Sequence, residues 1–161
     1  VKVLRQGFEE IKQALPISKN ITYYDKTKVV PSWNDNILLN MDDVREVVKG
    51  NKEGQLIDAR AAARFRGEIE PIDPVAGHIP TAINYDWEQL KQGSTFLDKD
   101  SLTAKLSDLT NKKKPVIAYC GSGVTAAPLY ASLKEAGYED VKLYVGSYSD
   151  WIRENEIETS I

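Results

Sequence analysis

With a single cysteine, a single histidine and a single methionine in 161 residues, the chain is poor in the side chains that build cross-links and metal centres. One cysteine excludes an internal disulfide framework and fits a reducing compartment. One cysteine and one histidine also make a poor zinc site, which takes three or four such ligands at suitable spacing, so no metal is expected. There is no apolar run near the roughly 20 residues that span a bilayer, and VKVLRQGFEEIKQ carries no signal-peptide pattern. The expectation is a cytoplasmic setting without a membrane partner. Charge of neither sign prevails: the formal net charge is −3, and Lys112, Lys113 and Lys114 read as a solvated turn, so no nucleic-acid partner is expected. What the chain does have, 42% hydrophobic and 28% charged residues, suits one globular domain with a sizeable core.

The stretch from Pro115 to Gly137 organises the rest. PVIAY reads as a short buried strand, while Ala126, Leu129, Tyr130 and Leu133 return at helical spacing and Gly137 sits where a helix ends in the left-handed region. Between them lies CGSGVT, with the only cysteine, Cys120, at its head. A loop that runs from a strand into a helix N-terminus presents unsatisfied backbone N–H groups and the positive end of the helix dipole, so it stabilises an anion or a thiolate. Gly121 and Gly123 let the backbone curl, so Cys120, Gly121, Ser122, Gly123, Val124 and Thr125 form a candidate anion-cradling nest with a nucleophilic thiolate. The bland alternative is a buried structural cysteine; the loop context weighs against it.

Taken in order, Val1 to Leu4 reads as a strand and Gly7 to Leu15 as a short helix that Pro16 stops. Residues 17–40 have poor periodicity and read as a connector, anchored by the rings of Tyr23, Tyr24 and Trp33. Asn40 caps a helix through Val48, and QLID makes a strand feeding a polar turn with Arg60, Arg64 and Arg66. Three arginines within seven residues fit a clamp for a small anion, or a set of surface ion pairs with Asp58, Glu68 and Glu70. GHIPTAINY follows, with a strand at Ala82 to Asn84 and with His78 fixing its loop by hydrogen bonds in preference to acting as a base. A helix between Asp100 and Thr110 precedes the central strand, VKLYV is a further strand, and SYSDWIREN is a short helix capped by Ser147 or Ser149. This alternation over residues 40–155 predicts the α/β class, a parallel sheet flanked by helices, with ligands at the carboxyl ends of the strands.

LIDAR, RFRG, GHIPTAIN, CGSGVTAA and VKLYVGSYSDW, in that order, resemble the rhodanese superfamily, and within it the two-domain sulfurtransferases that use 3-mercaptopyruvate or thiosulfate. The resemblance implies a rhodanese-like parallel sheet in which Cys120 takes a sulfane sulfur from the donor as a persulfide and passes it to a thiol or cyanide. It implies no organic cofactor. The CGSGVT loop is similar to the mercaptopyruvate branch, which implies that Ser122 assists proton transfer; thiosulfate-preferring members carry basic side chains where this chain has Gly121 and Ser122. Arg64 matches the arginine that binds the donor carboxylate. The second substrate arginine of the family, after its Glu-Pro, is replaced here by Ile72 and Asp73, so the expectation is either that Arg60 or Arg66 compensates or that the carboxylate is held less tightly. An inactive rhodanese-like half normally precedes the catalytic one; residues 1–15 resemble its last strand and helix, which implies a linker at 16–40, a catalytic domain at 41–161 and that half as partner.

Two other functions suit parts of the pattern. A sulfur-relay or interaction module would hold sulfur and need a partner domain to turn over. A cysteine phosphatase also places its nucleophile before such a nest, but requires an arginine six positions after the cysteine, where this chain has Ala126.

Overall fold

The apolar runs LID and VIAY point alternate side chains to opposite sides, so each needs cover on both faces, and the fold supplies it with helices. The computed structural model describes residues 3–30, 32, 34 and 36–160. Its main sheet has five parallel strands, β1 (Leu38–Leu39), β2 (Gln55–Asp58), β3 (Ile83–Asn84), β6 (Val116–Tyr119) and β7 (Val141–Tyr144), in the order β1-β7-β6-β2-β3. A two-stranded antiparallel hairpin, β4 (Lys91–Gln92) with β5 (Thr95–Phe96), lies apart from it.

On one face Ile57, Val116 and Ala118 pack with Leu102, Leu106, Leu129 and Leu133 of the α4 (Lys99–Lys105) and α5 (Ala126–Glu135) region. On the other, Leu56, Ile117 and Tyr119 meet Val44 and Val47 of α2 (Met41–Val48) and Tyr148 and Trp151 of α6 (Ser147–Trp151). Each fully buried leucine or valine contributes about 1.5–3 kcal/mol, which is why these short strands hold without long hydrogen-bond ladders. Helix α2 starts as its sequence predicts: Asn40 Oδ1 accepts from the Asp43 N–H at 3.0 Å, and Asp43 Oδ2 accepts from the Asn40 N–H at 3.2 Å. Gly137, at φ 90°, follows the end of α5 in the left-handed region.

Several expectations need correction. Val3 and Leu4 are exposed and outside any strand, because among the described residues the backbone of this segment makes a single bond to β5, the Phe96 N–H donating to the Arg5 carbonyl at 3.0 Å; Val1 and Lys2 lie outside the described residues. The short helix α1 (Phe8–Ala14) forms as expected, with no buried residue. Tyr23 and Tyr24 do not anchor the connector: they are 86% and 87% exposed, and the backbone around them pairs with no strand to carry the rings inward. Trp33 lies outside the described residues. Leu38 and Leu39, read as connector, pair with β7, since two residues are too few to show a period. The helix before the central strand runs Lys99–Lys105 and is capped by Asp98, whose carboxylate accepts from the Ser101 N–H at 2.8 Å; Leu106 and Leu109 fall in the turns after it. The arginine turn contains a single helical turn, α3 (Ala62–Arg66). Neither Ser147 nor Ser149 caps α6, whose first residue is Ser147 itself.

Candidate active site

Parallel strands bring their carboxyl ends to one edge, and there β6 delivers the cysteine loop beside the arginine turn delivered by β2. Cys120 is 2% exposed. Its N–H donates to Ser147 Oγ at 3.1 Å, and the same hydroxyl donates to the Tyr144 carbonyl at 2.9 Å. The Cys120 and Gly121 carbonyls accept from the N–H groups of Tyr148 and Ser149 at 3.0 and 2.9 Å. The start of α6 therefore straps the start of the loop. Ser147 takes a left-handed φ of 57° while fully buried, a conformation that costs a non-glycine residue about 1 kcal/mol or more. The strap is the return on that strain, because without it the Cys120 N–H would be buried and unpaired.

Beyond Gly121 the loop turns its donors outward. Among the described residues, none of the five N–H groups from Gly121 to Thr125 has an acceptor in the protein. Gly123 holds φ 83°, and a Cβ there would fall 2.6 Å from the Val145 carbonyl oxygen, so only glycine lets the loop lie this close to the strand end. Ser122 is exposed, Thr125 is half-buried, and Val124 is 73% exposed at the outer lip. Ala126 is fully buried under the loop, where no guanidinium could face a phosphoryl group.

The turn after β2 is held by its charges. Arg60, with a side chain 1% exposed, donates from Nε and Nη2 to Asp58, from Nη2 to the Gly77 carbonyl at 2.7 Å and from Nη1 to Glu70 at 3.2 Å. Its guanidinium lies over the Tyr148 ring at 3.9 Å. Burial would lower the Arg60 pKa, but the Asp58 carboxylate outweighs it and raises it. Burial likewise pushes the Tyr148 hydroxyl up to about 12, against the pull of Arg60, so this hydroxyl stays protonated and donates to the Val75 carbonyl at 3.1 Å. Arg66 is spent on Glu68 at 2.6 Å in an exposed pair.

Arg64 differs from both. Its Nε and Nη2 grip Glu70 at 3.0 and 2.6 Å, and Nη2 lies 3.4 Å from Asp73. Its Nη1 has no acceptor among the described residues, and both terminal nitrogens lie 3.6–3.7 Å from the point where a Gly121 Cβ would sit. All three arginines make ion pairs, but only that of Arg66 is a surface pair; those of Arg60 and Arg64 are largely buried because the turn folds over Asp58 and Glu70, and of the three Arg64 alone turns an edge to the cysteine loop. Burial would raise the Glu70 carboxyl, but hydrogen bonds from Arg64 and from the Asp73 and Ile72 N–H groups outweigh it and hold the carboxyl below its ordinary value.

His78 is 3% exposed, stacked on Phe65 at 3.8 Å, with Nδ1 2.7 Å from the Phe65 carbonyl and the backbone paired to Glu158. These contacts fix its loop, as its sequence context predicts. Two contributors escaped sequence reading. Ser147 reads in sequence as a helix cap, and Asn84, whose amide donates to the Asp58 and Arg60 carbonyls at 3.0 and 2.9 Å, carries no local signal beyond its strand position.

The site thus joins a buried cysteine at the carboxyl edge of a parallel α/β sheet, a run of N–H groups without acceptors among the described residues, and a neighbouring guanidinium. The Rhodanese-like domain family matches residues 40–154, and the chain belongs to that family. It is 48% identical over 101 residues, covering 60% of this chain and 35% of the relative, to the "Probable 3-mercaptopyruvate sulfurtransferase" of Pseudomonas aeruginosa. It is 36% identical over 123 residues, covering 74% of this chain and 43% of the relative, to the 3-mercaptopyruvate sulfurtransferase of Escherichia coli. Among solved structures, the Tum1 protein from Saccharomyces cerevisiae is similar with a TM-score of 0.71 and 26% identity, over 80% of this chain and 48% of that one. The chain thus spans about half or less of the length of these relatives.

Proposed function

We propose that this chain is a sulfurtransferase domain that moves a sulfane sulfur from 3-mercaptopyruvate, with thiosulfate as second donor, to a thiophilic acceptor. The observation that carries the proposal is the cradle of unpaired N–H groups that Cys120 heads, with the free edge of Arg64 beside Gly121. The Cys120 thiolate attacks the sulfur of the donor; the carbon–sulfur bond breaks, the electron pair leaves with the pyruvate enolate, and a proton converts that enolate to pyruvate. The terminal sulfur of the resulting persulfide carries the negative charge, which the N–H groups of Gly121, Ser122, Gly123, Val124 and Thr125 stabilise. A cyanide or thiolate acceptor then attacks that terminal sulfur, leaving as thiocyanate or a persulfide and returning Cys120 to its thiolate. Arg64 binds the donor carboxylate, Ser122 carries the proton, and Arg60 acts through the turn by holding Glu70 and Tyr148 in place.

In this reading residues 41–161 are the catalytic domain, residues 16–40 a linker and residues 1–15 the end of a preceding rhodanese-like half, in a cytoplasmic protein. Treating the protein with 3-mercaptopyruvate and weighing it intact should show the gain of one sulfur atom, absent in Cys120→Ser. A Cys120→Ser protein that still gains sulfur would falsify the assignment.

One observation favours a second reading, a sulfur-relay module that turns over only with a partner domain. Val124, Val145, Ile72 and Val75 are 73%, 51%, 74% and 42% exposed around the loop and the turn, an apolar rim suited to cover by another surface. A stoichiometric persulfide without turnover, restored to turnover by a preceding rhodanese-like half, would support the relay; equal turnover with and without that half would remove it.

A further inference from the structure

The two carboxylates that touch Arg64 are bound in different ways. Glu70 has a side chain 3% exposed and accepts from Arg64 Nε and Nη2, from Arg60 Nη1 and from the Ile72 and Asp73 N–H groups, at distances between 2.6 and 3.2 Å. It is saturated and fixed. Asp73 has a side chain 7% exposed, and its contact with Arg64 Nη2, at 3.4 Å, is long for a charge-assisted hydrogen bond, which closes to about 2.7–2.9 Å. Asp73 thus leans on the same outer edge of Arg64 that faces Gly121, without occupying it fully. An anion that arrives at Arg64 meets one free donor nitrogen, one shared nitrogen and a negative neighbour held in a largely dry pocket. Around it two guanidiniums, Arg60 and Arg64, face three carboxylates, Asp58, Glu70 and Asp73.

We propose that Asp73 is a specificity-determining residue of this site, setting singly charged donors above doubly charged ones by sharing the outer edge of Arg64 with the incoming anion. The proposal rests on the reading of Arg64 as the seat of the donor anion. Its physical basis is that Coulomb energy scales with the product of the charges, so a fixed carboxylate opposes a dianion with twice the free energy it exerts on a monoanion at the same point. Since affinity is exponential in free energy, the penalty for the dianion is the square of the penalty for the monoanion. A 3-mercaptopyruvate-like monocarboxylate is then admitted, and a thiosulfate-like dianion is held back. Gly121 and Ser122, which add no positive charge to the loop, leave that penalty uncompensated.

Binding of inert anions tests this without sulfur chemistry. Pyruvate as monoanion and sulfate as dianion are titrated at fixed ionic strength, followed through the Gly121 amide resonance, in the parent chain and in Asp73→Asn, Asp73→Ser, Arg64→Lys and Asp140→Asn. Asp140 pairs with Lys142 beside the start of β7, at the opposite end of the strand from the loop, and controls for a change of net charge. Both Asp73 variants should bind pyruvate about threefold and sulfate about tenfold more tightly, while Asp140→Asn changes neither. An equal gain for the two anions, or none, overturns the role of Asp73 while leaving Arg64 in place. Anion binding that ignores Arg64→Lys, or no binding to the parent chain, overturns the reading of Arg64 and the Asp73 proposal with it.

Discussion

The loop after β6 and the turn after β2 leave the same edge of the sheet and treat their polar groups in opposite ways. In the loop, Gly121 to Thr125 keep their N–H donors unpaired among the described residues, and the protein only straps the loop at its start, through Ser147, Tyr148 and Ser149. In the turn, nearly every charge is answered by a neighbour: Arg60 by Asp58, Glu70 and Gly77, and Arg66 by Glu68. Open backbone dipoles of this kind can receive an anion without any side chain having to move. A saturated charge network supplies rigidity, and it sets one edge of Arg64, of the three arginines, beside Gly121. The two regions thus divide the work, one by leaving donors free and the other by fixing the guanidinium that stands next to them.

That division can be broken most sharply at Arg60. Replacing Arg60 by Met leaves Asp58, fully buried, without its guanidinium, and should cost about 3–5 kcal/mol in denaturant unfolding. A loss below about 1 kcal/mol would mean that the turn is not held by its charges. The loop should respond to shape instead. Gly123→Ala forces a Cβ against the Val145 carbonyl at a left-handed φ, and should cost about 1–3 kcal/mol in thermal melts and weaken pyruvate binding at the same site. Retained stability with unchanged binding would show that the loop is not tied to this backbone path.

Acid should distinguish the two regions most gently. The Glu70 carboxyl is held below its ordinary value of 4.5, so the unfolded chain takes up this proton more readily than the folded one. Its contribution to stability is then fully present above about pH 5 and lost as pH falls through 4.5 and below. Melting temperatures of the parent chain and Glu70→Gln, compared from pH 7 downward, should converge below pH 4.5; a constant gap would place the stabilisation elsewhere.

Much of this was legible in the residues. VIAY and QLID gave two central strands because an apolar run too short for a helix and flanked by turn residues has one natural place, the middle of a parallel sheet. Asn40 and Gly137 marked their helix ends because capping depends on neighbours three or four residues away. The two-residue strands β1 and β3 carry too little pattern to be found reliably, and the first was missed. The aromatic connector failed as an expectation because burial of Tyr23 and Tyr24 depends on what lies across from them, about which a local sequence says nothing.

The sequence by itself determined the strand, glycine loop and helix that put Cys120 at the head of a run of outward N–H donors, because backbone curvature and helix-end donors follow from residues adjacent in the chain. It also brought three arginines to one turn, but it could not apportion them. Only the tertiary structure decided that Arg60 is buried against Asp58 and Tyr148, that Arg64 keeps an edge over Gly121, and that Ser147 gives up its place as a cap to hold the Cys120 N–H. The reason is physical. A guanidinium or hydroxyl takes whichever partner the packing of distant elements brings within about 3 Å, and that choice is made across the sheet edge rather than along the chain.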